Sequence, residues 1–212
     1  MIRSRLKVFL LPGLLLAGLC LCGAAVAAPS QAHQELERTI NEVLSELQKP
    51  ELKQPATRNA VLGRVEKIID RLFSFEELSA RTVGAAWNKF SPDQKKRFID
   101  VFTTLLRESS LAKLDGYNGE QVVYTGEVTS PKGDRTEVRT VITMKDSKKV
   151  PVAYRMLPKD GTWFVYDVLI ENISLVKNYR TQFQDILNTG SPDQLIARVK
   201  AKAQEVRQGN GQ

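Results

Sequence analysis

The stretch from Trp163 to Phe183, WFVYDVLIENISLVKNYRTQF, constrains this chain more than any other. Between Phe164 and Ile170 every residue except Asp167 is apolar or aromatic. Successive side chains of a strand point to opposite faces, so both faces of this strand must leave water. A protein core explains one of them. The other needs a second cover: more helix, a partner, or an apolar ligand.

The segments around it fix the class of fold. EQVVYTGEVT, TEVRTVITMK, KVPVAYRML and TWFVYDVLIE alternate and are rich in Val, Thr, Ile and Tyr, which predicts four strands. SPKGD and PKDG supply turn chemistry between neighbours, so the strands pair antiparallel as a meander. Ahead of them the period is helical. Leu36, Ile40, Val43, Leu44 and Leu47 form one stripe, and Leu62, Val65, Ile69, Leu72 and Phe73 a second. A third helical segment runs through FEELSARTVGAAW, and a fourth starts at SPDQ with Ser91 as N-cap, Pro92 at the first helical position and Gln94 closing a capping box. The fourth carries Phe98, Val101, Phe102, Leu105 and Leu106 on its apolar face. SPDQ returns at Ser191–Gln194 and opens the last helix; the same cap chemistry explains it without an internal repeat. Helices before and after a block of strands predict an α+β arrangement.

The first 27 residues read as an export signal. Arg3, Arg5 and Lys7 precede a 15-residue apolar run from Val8 to Cys22, and Ala25-Val26-Ala27 gives an A-x-A processing site. Residues 28–212 then form the mature domain. Both cysteines, Cys20 and Cys22, fall in the removed segment, and each follows a leucine, where a lipidated cysteine requires a small residue. The formal charge of +7 loses three with Arg3, Arg5 and Lys7, leaving +4. With basic residues spread singly and not interleaved with aromatics, nucleic acid is not an expected partner.

Catalytic chemistry has little material. The mature chain has one histidine, His33, close to its start, and no cysteine, so nucleophilic triads and His/Cys zinc sites cannot be assembled. No glycine-rich loop precedes a helix to cradle phosphate. Asp167 in its apolar strand is the one candidate general base. Its structural alternative is a pair with Arg155 on the neighbouring strand. Alternation places Val152, Tyr154 and Met156 on a face with Phe164, Tyr166, Val168 and Ile170, and Leu157, Trp163, Val165 and Leu169 on the other with Arg155 and Asp167.

The stretch VPVAYRMLPKDGTWFVYDVLIENISLVKNYRTQF resembles the characteristic segment of the MlaC family, also called the toluene-tolerance family, of periplasmic phospholipid-binding proteins. The Phe-x-x-Leu segment leading to Gly84 and Trp87, the Ser-Pro-x-Gln helix start ahead of RF, and the closing helix with DQLI agree, so the similarity runs from about residue 34 to 205. Asn172 stands where many members have glycine, and Ala153 and Ser110 where an acidic and an aromatic residue are common.

This resemblance implies a four-stranded antiparallel sheet packed with several helices around an apolar lipid cavity. It implies a periplasmic carrier, without enzymatic activity or cofactor, whose cargo is a phospholipid held by its acyl chains. Its partners would be an outer-membrane lipoprotein complex and an inner-membrane ABC transporter bearing an MCE-domain subunit, and its role the maintenance of outer-membrane lipid asymmetry. The expected tail contacts are Phe98, Phe102, Leu105 and Leu106 on the fourth helix, and Val152, Tyr154, Met156, Tyr166, Val168 and Ile170 on the sheet. Lys177 and Arg180 are candidates for the cavity mouth or a docking surface. Two readings from other classes stand beside it: an α+β periplasmic enzyme using Asp167, and a chaperone module that binds a peptide or protein.

Overall fold

In the computed structural model the described residues, 28–114, 117 and 119–209, form six α-helices and five strands. Four helices come first: α1 (Gln31–Leu47), α2 (Pro55–Leu72), α3 (Phe75–Val83) and α4 (Pro92–Leu114). The strands β1 (Gln121–Thr129), β2 (Thr136–Thr143), β3 (Lys149–Lys159), β4 (Thr162–Ile170) and β5 (Ile173–Ser174) follow, then α5 (Leu175–Thr189) and α6 (Pro192–Gly209). The segment read as an export signal, with Cys20 and Cys22, lies outside the described residues. Among the described residues no helix is long and apolar enough to cross a membrane.

The strands form one antiparallel meander in the order β1-β2-β3-β4-β5. The sheet has five strands where the alternation predicted four. The fifth is only Ile173–Ser174, too short to show a period, paired back on Leu169 and Ile170. Its turn places Glu171 at φ 50° and Asn172 at φ 65°. Asparagine tolerates that left-handed backbone better than most residues. The β3–β4 turn likewise uses Asp160 (φ 52°) and Gly161 (φ 78°), which fits the two-residue hairpin geometry with positive φ at both positions.

One irregularity changes the faces of the sheet. Arg155 pairs with Asp167, but the next pair is Met156 with Val165, so β4 carries an extra residue at this bulge. Beyond a bulge the inward and outward sets exchange. Val165 and Trp163, expected opposite Met156, therefore join Met156, Tyr154 and Val168 in one apolar cluster. Tyr166 turns aside, its ring stacked 4.3 Å from the Arg81 guanidinium carbon of α3.

Two cores result. The sheet core joins Ala32 and Leu36 of α1 and Leu72 of α2 to Val138, Met156 and Val165. The hydrogen bonds from Ser30 N (2.9 Å) and Ser30 Oγ (2.5 Å) to the Glu127 carboxylate fix the start of α1 on β1. The helical core is built from α3, α4, α5 and α6 around Phe98, Phe102 and Phe183, whose rings meet at centroid distances of 5.3 to 5.6 Å. The two SPDQ helices lie side by side here. Each closes its capping box, with Ser91 N donating to Gln94 Oε1 (3.0 Å) and Ser191 N to Gln194 Oε1 (2.8 Å). Gln94 and Arg97 both donate to Asp193 at the starts, and Arg207 donates to Glu108 near the ends, so α4 and α6 run parallel. Phe73 touches both cores and pairs with Val165 at the edge of the sheet.

Asp167 is where strand and helix are joined. It is 3% exposed. Its Oδ1 accepts from Val176 N (3.0 Å) in the first turn of α5, and its Oδ2 from Ser174 Oγ (2.7 Å) and Arg155 Nη1 (3.4 Å). A carboxylate at a helix N-terminus meets free N–H groups and the positive end of the helix dipole. The turn from β4 into α5 is thereby pinned.

Candidate functional site

The two cores do not merge. Between them lies a cavity of about 580 Å³, within the range of roughly 300–1,000 Å³ usual for small-molecule pockets. One wall comes from α2 and the start of α3, with Ile69, Phe73, Phe75 and Leu78. Leu106 of α4 and Leu175 and Tyr179 of α5 form a second, and Tyr154, Val168 and Ile170 of the sheet a third. Each of these elements buries an apolar stripe, and here parts of those stripes border an open space. Tyr154 and Val168 lie at the border of the sheet core, and Leu106, Leu175 and Tyr179 at the border of the helical core.

Polar residues complete the lining: Glu66 and Asp70 on α2, Arg107, Ser109 and Ser110 on α4, Glu171 in the β4–β5 turn, and Asn178 on α5. Ser110, Glu171 and Asn178 are exposed, as are Ile170 at 42% and Ile173 at 65%. The mouth therefore opens where the end of β4 meets α4 and α5. Its polar side is organised by Arg107, whose Nη2 donates to both oxygens of Asp70 at 2.7 Å. Burial pushes the Tyr154 phenol up to about 12, offset in part by a hydrogen bond with Thr140, and burial raises Tyr179 as well. Both rings stay neutral at physiological pH, so these two walls remain uncharged.

The structure distributes the sequence candidates over several environments. Leu106, Tyr154, Val168 and Ile170 line the cavity together. Phe98, Phe102 and Leu105 are buried in the helical core, and Met156 in the sheet core. Val152 is buried at 7% exposure, and Tyr166 lies under Arg81. Lys177 is exposed in the first turn of α5, and Arg180 ties α5 to α3 by donating from Nε to the Arg81 carbonyl (2.7 Å). Neither lines the cavity; Asn178 and Tyr179 between them do.

The sequence places Ile69 in the α2 stripe and Phe75 and Leu78 in the Phe-x-x-Leu segment, but its pattern assigns none of them, nor Tyr179, to the cavity. The signal was present in the run IIDRLFSF, whose apolar residues exceed what one stripe of α2 can use. Arg107 was also missed, because an arginine beside a helix stripe reads as solvated surface.

Comparisons with known proteins agree with this geometry. The family model described as MlaC protein matches residues 37–201. The toluene tolerance protein ttg2D of Pseudomonas putida is 24% identical over 180 residues, covering 84% of this chain and 82% of its own length. The intermembrane phospholipid transport system binding protein MlaC of Haemophilus influenzae is 19% identical over 173 residues, covering 80% and 81%. Among solved structures, the phospholipid-binding protein of Ralstonia solanacearum, in complex with a phospholipid, has the same fold. It aligns with a TM-score of 0.73 at 21% identity, over 84% of this chain and 99% of that one.

Proposed function

The chain belongs to the MlaC family, and on that premise we propose that it is a periplasmic phospholipid carrier, exported through residues 1–27, that holds acyl chains in the cavity between its two cores. The observation that carries this is the cavity itself: about 580 Å³ walled by apolar side chains from sheet, α2, α4 and α5, with the exposed polar residues Ser110, Glu171 and Asn178 in its lining. An amphipathic ligand matches that division, tails inward and head group outward.

The energetics define how such a carrier works. Burial is worth about 0.8 kcal/mol per methylene, so two chains with roughly 30 methylenes represent on the order of 20 kcal/mol of gross transfer energy. Loss of this cargo into water is too slow to matter. Transfer requires contact with a partner offering the tails a comparable environment, so the free-energy difference at each handover is small. In this reading the partners are an outer-membrane lipoprotein complex and an inner-membrane ABC transporter with an MCE-domain subunit. Direction is set there, and the traffic maintains outer-membrane lipid asymmetry. No catalytic residue and no cofactor is required. Asp167, the enzymatic candidate, supports this indirectly: both its oxygens accept hydrogen bonds that hold α5, and it is not part of the cavity wall.

Native mass spectrometry of the protein purified without detergent from the periplasm tests the proposal. The expected result is a mass increment of one phospholipid, confirmed by organic extraction. A co-purifying polypeptide would favour the chaperone reading, and a uniformly unliganded protein that takes up no lipid from vesicles would contradict the carrier.

A further inference from the structure

Resting on the carrier reading, we propose that the end of the molecule around the cavity mouth is a membrane-docking surface. The tip of the β2–β3 hairpin and the β4–β5 turn seat it on an anionic bilayer, lysines on the head groups and aliphatic side chains between them. Cargo then passes between bilayer and cavity without crossing water.

Five large apolar side chains are exposed among the described residues, and three of them, Met144 (38%), Ile170 (42%) and Ile173 (65%), lie at one end of the sheet. The register places them there. Thr143 and Lys149 are the last pair before the β2–β3 loop, and Ile170 pairs with Ile173 across the β4–β5 turn. Glu171 N donates to the Pro151 carbonyl (2.9 Å), and Lys148 Nζ lies 3.7 Å from the Glu171 carboxylate, so hairpin and turn stand side by side. The hairpin tip is itself hydrogen-bonded, with Met144 N donating to the Lys148 carbonyl (2.8 Å) and Lys148 N to Asp146 Oδ1 (3.0 Å). Ile170, Glu171 and Ile173 also belong to the cavity lining. Whatever covers these tips therefore covers the mouth.

The charge around them points to the occupant. Lys145, Lys148 and Lys149 on the hairpin and Lys177 in the first turn of α5 are exposed, against the carboxylates of Asp146 and Glu171. Of the acidic groups on the α2 wall, Asp70 is neutralised by Arg107, and Glu66 lies within the cavity lining. The tips thus carry a positive excess. Cores of protein–protein interfaces are enriched in aromatic residues and arginine and depleted in lysine; isoleucines ringed by lysines are the reverse. An anionic bilayer fits both components. Lysine keeps its ammonium among the head groups while its stem lies along apolar surface, and exposed aliphatic side chains leave water at the acyl boundary.

Vesicle flotation tests this, with the lipid content of the same mature protein measured by native mass spectrometry. Binding to vesicles containing phosphatidylglycerol is expected to exceed binding to phosphatidylcholine vesicles at least about tenfold. It is expected to be lost at about 1 M salt, where the Debye length falls to roughly 3 Å. Lys145→Gln, Lys148→Gln and Lys149→Gln combined are expected to lower the affinity about 100-fold, at about fivefold per lysine. Lipid content stays unchanged, because none of the three lines the cavity. Met144→Ser, which keeps every charge, is expected to lower the affinity roughly fivefold. The same change of charge made at Lys53, Lys96 and Lys200, all exposed and outside the mouth, is expected to have little effect. Equal loss from the two triple variants overturns the inference by tracing binding to net charge alone. A lipid-loaded protein that does not float with anionic vesicles also overturns it, leaves the carrier reading in place and gives this surface to a protein partner. Binding to anionic vesicles by a protein without lipid upholds the docking surface and removes the carrier reading.

Discussion

Leu106→Glu is expected to lower phospholipid retention at least about 100-fold. Leu106 is half-buried on α4 and forms part of the cavity wall. With acyl chains against it, a glutamate there must either ionise in hydrocarbon or take up a proton, and the effective penalty for an uncompensated buried ion is several kcal/mol. Without lipid the same carboxylate reaches water through the cavity, so the unliganded fold loses much less. The loss is not zero, because Leu106 also packs at the border of the helical core; about 1–2 kcal/mol is expected. Phospholipid per mole of purified protein and the guanidinium midpoint, measured on one preparation, separate the two effects. A variant that keeps its lipid would move the tails elsewhere in the molecule.

Phe98→Ala is expected to act in the opposite sense, on stability rather than on cargo. Phe98 is fully buried and its ring meets Trp87, Phe90, Phe102 and Phe183. Truncation removes the transfer free energy of the ring and leaves a cavity that four neighbouring rings cannot collapse into, at a cost of about 3–5 kcal/mol. Against a net stability of about 5–15 kcal/mol this is a large fraction. For a domain of this size it corresponds to a fall in Tm of roughly 10 °C. Thermal unfolding followed by circular dichroism checks it; a change below about 2 °C would mean that the helical core is not close-packed around this ring.

The contrast between these neighbours on α4 explains which parts of the molecule were legible in the sequence. Capping boxes at Ser91 and Ser191, the PKDG turn and the strand block are local signals, and each appears where its chemistry requires. The apolar stripe of α4 was legible too. Which part of it faces what was not. Phe98, Phe102 and Leu105 turn toward α5 and α6, while Leu106 and Arg107 face the cavity. A stripe reads identically whether it meets protein or ligand. The alternation of β4 failed for a different reason. It assumes an unbroken register, and the bulge after Arg155 moves Trp163 and Val165 to the other face without leaving a mark in composition. Of the two readings of Asp167, general base or partner of Arg155, the pairing is present in the structure at 3.4 Å. Its larger role, accepting from Val176 N of α5, depends on a chain reversal at Glu171 and Asn172 that strand propensity does not describe.

The two faces of β4 are covered differently. Near its end, one face is shared between the sheet core and the cavity, through Val168 and Ile170, while Asp167 on the other is buried against the start of α5. In the proposed carrier, a lipid completes a wall that protein begins.

Crystallographic density for the protein isolated from the periplasm without detergent tests this most directly. Expected is continuous tail density between Phe73 and Leu78 on one side and Tyr154 and Val168 on the other, ending in a head group at the mouth. A closed seam, with the two cores in direct contact and no space or density between them, would contradict it.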